Sequence, residues 1–179
     1  IVDPVSKMIK LHTTAIKIMK VGGKTNVEIA AMAVDILNAA LTAANDGGSD
    51  QRTLVMADLV RAKIMAGQSI KDMETPSLDQ LSPLDADVKE VFLQVELAKD
   101  NTNHVLGQAS QVKSAEGNTA VAQAFLQQGD PVSAAHHANI ARNIYGSENA
   151  LEANAVYVKA LAGMKHPDWS EIRAVQEMI

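Results

Sequence analysis

The sequence predicts an all-α fold in which an antiparallel helical bundle continues into a stack of helix-turn-helix hairpins. Apolar residues make up 47% of the 179-residue chain and aromatic residues only 3%, so the core must be built from Ala, Val, Ile, Leu and eight Met. Helices packed through small side chains suit this composition, whereas a β-sandwich would require more β-branched and aromatic residues. Apolar residues also recur at helical spacing between breaks of Gly, Pro and Asn, which indicates helices joined by turns.

The first predicted helix has a cap, an apolar face and a basic face. Asp3 can cap it, and Pro4 suits its first position. The apolar face comprises Val5, Met8, Ile9, His12, Ile16 and Met19. The basic face comprises Lys7, Lys10, Lys17 and Lys20. We expect these lysines to face solvent in a bundle, with contact to an anionic membrane or an anionic partner as the alternative. We expect His12 to be a hydrogen-bonded core or interhelix residue.

The motif Gly-Lys-Thr after this helix resembles the end of a phosphate-binding loop. The full pattern, however, requires a preceding strand and a glycine where Ile18 stands, so nucleotide binding is not predicted. Thr25 and Glu28 instead form a predicted capping box that begins a second helix, apolar on most of its faces. A turn at residues 45–50 and a third helix complete a predicted three-helix bundle over residues 1–68.

The second part of the chain is predicted to begin after a linker. Residues 69–82 contain Pro76 and several serines that can cap short helical turns. Ser82 and Pro83 then start a helical stack over residues 83–179. Its first helix is predicted to bury Val88, Val91, Phe92, Val95 and Leu97. A further helix through Val105 and Val112 is predicted to end at Gly117 and Asn118.

The clearest architecture is a helical hairpin over residues 118–146. Gly129 allows the chain to leave the first helix in a left-handed conformation, Asp130 can cap the next helix, and Pro131 suits its first position. In the second helix small residues recur on one face, and these are Ala134, Ala138 and Ala141. Such a row lets a neighbouring helix approach closely.

This hairpin resembles a tetratricopeptide repeat, a helix-turn-helix unit of about 34 residues. The matching positions are Ala122, Phe125, Gly129, Asp130, Ala134 and Ala141. Gly163 follows Gly129 by 34 residues, which indicates a second, shortened copy. The chain departs from the pattern at Asn118, where tryptophan is common, at Ala138, where a large ring is common, and at Gly146, where proline is usual. The resemblance covers about the last third of the chain.

Two further helices are predicted after the hairpin. Ser147 can cap one that runs to about Met164, and Asp168 can cap the last. Trp169, the only tryptophan, is expected to pin the last helix to the stack.

Charge and composition exclude several classes of function. Residues 1–68 have a net charge of +2 and residues 69–179 a net charge of −7, and so acidic a chain is a poor general nucleic-acid binder. The chain has no cysteine, so neither disulfides nor thiolate chemistry is expected. No stretch reaches the length of a membrane span. The cytoplasm is slightly favoured over the periplasm. Because the chain does not start with Met, we expect it to derive from a longer or processed product.

No catalytic, cofactor-binding or metal-binding residues are predicted. None of the five histidines has the spacing that places two metal ligands on one helix face, and the adjacent His136 and His137 point about 100° apart. We expect a scaffold that binds a peptide or partner helix. Its polar contacts would be Asn118, His137, Asn139 and Asn143, since asparagine can both donate to and accept from an extended backbone. The alternatives are a structural subunit of a larger assembly, such as a virion, secretion machine or filament, and an extracytoplasmic helical sensor domain. Association into a homo-oligomer is a further alternative.

Overall fold

The computed structural model is all-α, as the sequence predicts, and it divides into two compact units, Ile1–Leu84 and Asp85–Ile179. No strand occurs among the residues that the structure describes. Those residues are 3–23, 26–43, 49–76, 86–146 and 150–179.

The first unit contains three long helices. They are α1 (Pro4–Ile18), which continues into a π-helical turn at Met19–Gly23, α2 (Val27–Ala43) and α3 (Ser49–Met65). Helix α2 packs against both α1 and α3. Asp3 caps α1 as predicted, since its carboxylate accepts a hydrogen bond of 2.9 Å from the Ser6 amide. The described residues of this part of the chain therefore include three helices packed together.

The start of α2 differs from the prediction. The side chain of Asn26 caps this helix, accepting from the amides of Glu28 at 2.9 Å and Ile29 at 3.3 Å. Thr25 of the predicted capping box lies outside the described residues, as does most of the predicted turn at 45–50. Helix α2 is also less buried than expected, because Met32 is 56% exposed on its solvent side.

A polar contact inside the first unit joins α1 to α3. His12 is buried, and its Nε2 lies 2.7 Å from Oδ2 of Asp58, while its Nδ1 lies 2.9 Å from the Gln51 amide nitrogen. Arg61 donates to the other oxygen of Asp58 at 2.8 Å. The prediction of a hydrogen-bonded interhelix histidine is confirmed.

No regular helix follows α3 up to Pro76, and Ile70 is buried within this segment. Residues 77–85 lie outside the described part, and with them the predicted caps at Ser77 and Ser82 and the proline at Pro83.

The second unit is a succession of seven helices in its described residues. They are α4 (Ala86–Lys89), α5 (Phe92–Ala98), α6 (Thr102–Gly107), α7 (Ala115–Gln127), α8 (Pro131–Tyr145), α9 (Leu151–Ala162) and α10 (Trp169–Gln176). Consecutive helices from α7 to α10 pack against one another, and α7 also contacts α5, α6 and α9. This packing of consecutive pairs is compatible with a helical-repeat fold.

The first helix predicted for this unit is broken in two at Glu90. The five residues 91–95 are all buried, so this segment has no side that faces solvent. It therefore does not show the alternation of buried and exposed sides that defines an amphipathic helix. Glu90 instead turns towards the start of α7, where its carboxylate accepts from the amides of Lys113 and Ser114.

Helix α7 begins earlier than the sequence analysis expects. Ser114 is its N-cap and accepts from the Gly117 amide at 2.9 Å. Gly117 and Asn118 therefore lie inside the first turns of α7 and do not end the preceding helix. That helix, α6, already ends at Gly107.

The turn and cap residues predicted for the hairpin are confirmed in α7 and α8. Gly129 has a φ of 78°, in the left-handed region. Asp130 accepts from the Ser133 amide at 3.0 Å, and Pro131 is the first residue of α8. The alanines at 134, 138 and 141 are fully buried, so the row of small residues forms the inward face of α8.

At the C-terminal end, Asp168 caps α10 as predicted, accepting from the amides of Ser170 and Glu171. The expectation for Trp169 is wrong, because its side chain is 58% exposed. Ile172 and Val175 are the residues of α10 that enter the core with α8 and α9.

Candidate interaction surface

Asn118 and His137, two of the four predicted contact residues, lie together. Asn118 is buried, and its amide nitrogen donates to the backbone oxygen of Ser114 at 2.9 Å. Its Oδ1 lies 2.9 Å from Nδ1 of His137. Both ends of the Asn118 amide are thus used within the unit, and this side chain links α7 to α8.

His137 lies half-buried between two rings. It stacks on Phe125 with ring centroids 5.6 Å apart, and its edge meets His136 at 5.4 Å. Because Asn118 presents its oxygen, Nδ1 of His137 carries the proton. Burial lowers the pKa of His137, and repulsion from His136 lowers it further. His137 is therefore neutral at pH 7.

Asn139 and Asn143, the other two predicted residues, are exposed on α8. They share one side of the helix with Val132 and His136, which are also exposed, at intervals of three and four residues. We call these four residues the α8 stripe. None of them is Lys, Arg, Asp or Glu. The only Lys, Arg, Asp or Glu of α8 is Arg142, which is buried.

Exposed apolar side chains also lie at both ends of α8. Ile144 is 51% exposed and Tyr145 is 44% exposed, while Val132 at the other end is 66% exposed. Solvent-facing helix surfaces are usually charged, and the cores of protein interfaces are depleted of charge. This face of α8 therefore has the composition of an interface.

A buried polar network holds α8 in place behind the stripe. Nε of Arg142 donates to Oδ1 of Asn154 at 2.6 Å, and the guanidinium lies 4.5 Å from the centre of the Tyr157 ring. The Tyr157 hydroxyl donates to Glu171 at 2.6 Å. Burial and the contact with Glu171 raise the pKa of Tyr157 to about 12. The network connects α8, α9 and α10, and Arg142 also contacts Oδ1 of Asn139 at 3.3 Å, which joins it to the stripe.

Sequence reasoning missed this network because its members lie on three helices at no diagnostic spacing. The only available signal was the presence of a single charged residue in α8, at a position close to the alanine row. Within the described ranges, no three His, Cys, Asp or Glu side chains cluster as they would around a metal ion. No helix in those ranges is long and apolar enough to span a bilayer.

Comparison with known proteins gives no match to any family model, curated protein or solved structure. The class of the protein rests on its fold and surface alone. It is an all-α protein whose second unit packs consecutive helices in pairs and exposes one uncharged helix face.

Proposed function

We propose that this protein is a non-enzymatic interaction module, and that the α8 stripe binds a helical or extended segment of a partner protein. The proposal includes a tetratricopeptide-like organisation of α7–α10, in which α7 and α8 form one helix pair and α9 and α10 a shortened second pair. The single observation that carries it is the uncharged exposed face of α8.

The electrostatic setting of the stripe supports a protein partner. Residues 69–179 have a net charge of −7, yet α8 itself has no acidic residue. Desolvating charged groups is costly, so a face without them is cheaper to bury against another protein. Asn139 and Asn143 would supply donors and acceptors, and Val132 would supply apolar contact at one end of the stripe.

The stripe also rests on a rigid base. The inward side of α8 is the buried alanine row, and its buried Arg142 is hydrogen-bonded to α9. Side chains held on a fixed helix lose less conformational entropy on binding than those on a mobile loop. This supports recognition by a preformed surface.

The test is selection of binders from a displayed library of helical and extended peptides, followed by titration against variants. Val132→Glu with Asn143→Glu places two carboxylates in the stripe, and we expect affinity to fall at least about tenfold because those charges would be desolvated. Lys159→Glu is the matched control, since it also changes the net charge by −2 but lies on the exposed side of α9. Equal affinity of both variants for every selected peptide would refute the proposal.

The same face of α8 would favour the alternative, a structural subunit, if it binds a second copy of this chain. A closed dimer with two-fold symmetry would place α8 against α8 of the other copy. Sedimentation velocity at increasing concentration separates the two functions. Self-association that the double glutamate variant abolishes favours the subunit, whereas a monomer at all concentrations favours the module.

A further inference from the structure

The first unit contains a small apolar cavity between its helices. Its volume is about 150 Å³, and its walls include Ala15, Met19, Leu37 and Met65, contributed by α1, the π-helical turn, α2 and α3. An aliphatic cavity of about 150 Å³ accepts a molecule the size of benzene. An apolar group of about six carbons therefore fits this space.

The cavity lining also includes the charged residues Lys20, Asp58 and Arg61. Both oxygens of Asp58 are already engaged, Oδ2 with His12 at 2.7 Å and Oδ1 with Arg61 at 2.8 Å. Partial burial raises the pKa of Asp58, but the hydrogen bonds from His12 and Arg61 outweigh this and leave the pKa below its ordinary value. Asp58 thus stays ionised, and its charge is balanced by Arg61.

Lys20 supplies the charge that remains. It is exposed, and among the described residues no carboxylate lies within 4 Å of its ammonium group. With Asp58 and Arg61 offsetting each other, the lining has a net positive charge. A ligand with an anionic head and an apolar tail complements both parts of the site, whereas a cationic head would meet no free acceptor on Asp58.

We propose that this cavity binds a small monocarboxylate whose apolar tail has four to six carbons. The tail occupies the space between Met19 and Met65, and the carboxylate pairs with the ammonium group of Lys20. This site lies in the first unit, so it does not depend on the interaction proposed for α8.

The experiment is an NMR titration of the full chain with isotope-labelled methionine methyl groups. Hexanoate is the probe, and hexan-1-ol and hexylammonium have the same total of six carbons with a neutral and a cationic head. We expect saturable shifts of the Met19 and Met65 methyl signals with hexanoate, and no saturable shift of the exposed Met178. Binding should weaken from hexanoate to the alcohol and again to the ammonium.

Two lysine variants test the contact with the head group. Lys20→Gln should weaken hexanoate binding by about fivefold, the effect of a partly exposed ion pair, while leaving hexan-1-ol binding unchanged. Lys10→Gln removes an exposed lysine of α1 that does not line the cavity, and it should have no effect on the binding of either probe. If the Met19 and Met65 signals do not saturate by about 50 mM hexanoate, the proposal is overturned, because a dissociation constant weaker than that does not indicate a specific site. Equal binding of hexanoate and hexylammonium, or equal affinities of the two variants, would also overturn it.

Discussion

A methyl group at Gly117 would collide with the carboxylate that covers the start of α7. The added Cβ would lie closer to Oε2 of Glu90 than side chains in folded proteins tolerate, and 2.9 Å from its Cδ. The same carboxylate accepts from the amides of Lys113 at 2.9 Å and Ser114 at 2.7 Å, and from the Ser114 hydroxyl. Gly117→Ala therefore forces Glu90 to give up its contacts with the helix N-terminus.

Whether Gly117→Ala stabilises or destabilises the fold depends on the gain in helix propensity and the loss of hydrogen bonds to Glu90. Alanine in a helix interior is more stable than glycine by about 0.5–1 kcal/mol. Hydrogen bonds to a charged group each contribute about 1.5–3 kcal/mol, and displacing Glu90 weakens more than one of them. We expect Gly117→Ala to lower the free energy of unfolding by about 1–2 kcal/mol, although alanine has a higher helix propensity than glycine.

The assay is urea unfolding followed by far-ultraviolet circular dichroism, which measures the loss of helix. Gly107→Ala is the matched control, because a Cβ there would meet nothing within 4 Å, and it should be neutral or stabilising. In a Glu90→Ala background, Gly117→Ala should no longer destabilise. Unchanged stability of the single variant, or an equal loss in both backgrounds, would refute the steric argument.

Three other substitutions test separate contacts. The lowered pKa of Asp58 stabilises the fold at pH values above its ordinary pKa of 3.8, and this contribution is lost in more acidic solution. With urea unfolding midpoints measured from pH 7 downwards, Asp58→Asn should therefore make the midpoint fall less steeply as the pH is lowered. The raised pKa of Tyr157 stabilises the fold below pH 10, and this contribution is lost towards pH 12. Ultraviolet titration should find one tyrosine with a pKa of about 12, and Glu171→Gln should lower that pKa. Ala138→Leu should cost about 1–3 kcal/mol in thermal unfolding by overpacking the α8 interface, whereas Ala174→Leu on the exposed side of α10 should be neutral.

The parts of the fold that the sequence predicts correctly depend on short-range chemistry. The caps at Asp3, Asp130 and Asp168 each bond amides two or three residues ahead, so the signal and its effect lie in one window. Gly129 likewise needs only its own backbone conformation. Such features can be predicted without knowledge of the tertiary structure.

The errors in the helices from α4 to α7 have a common long-range cause. The contact between Glu90 and the amides of Lys113 and Ser114 spans more than twenty residues. No pattern within a single helix encodes it, although it accompanies the break at Glu90 and covers the true start of α7. The burial of every residue in 91–95 is equally a property of the neighbours and not of the local period.

The same error explains why the four predicted contact residues separate into two groups. With α7 assumed to start at Asn118, that side chain would stand at an open helix end. With the true start at Ala115, Asn118 becomes the fourth helical residue and faces inward, where it bonds His137. On α8 the start was predicted correctly, and the alanine row fixes the inward side. Asn139 and Asn143 must then face outward. The register of a helix is thus the quantity that decides which polar residues can reach a partner, and it was predictable here only where a local cap set it.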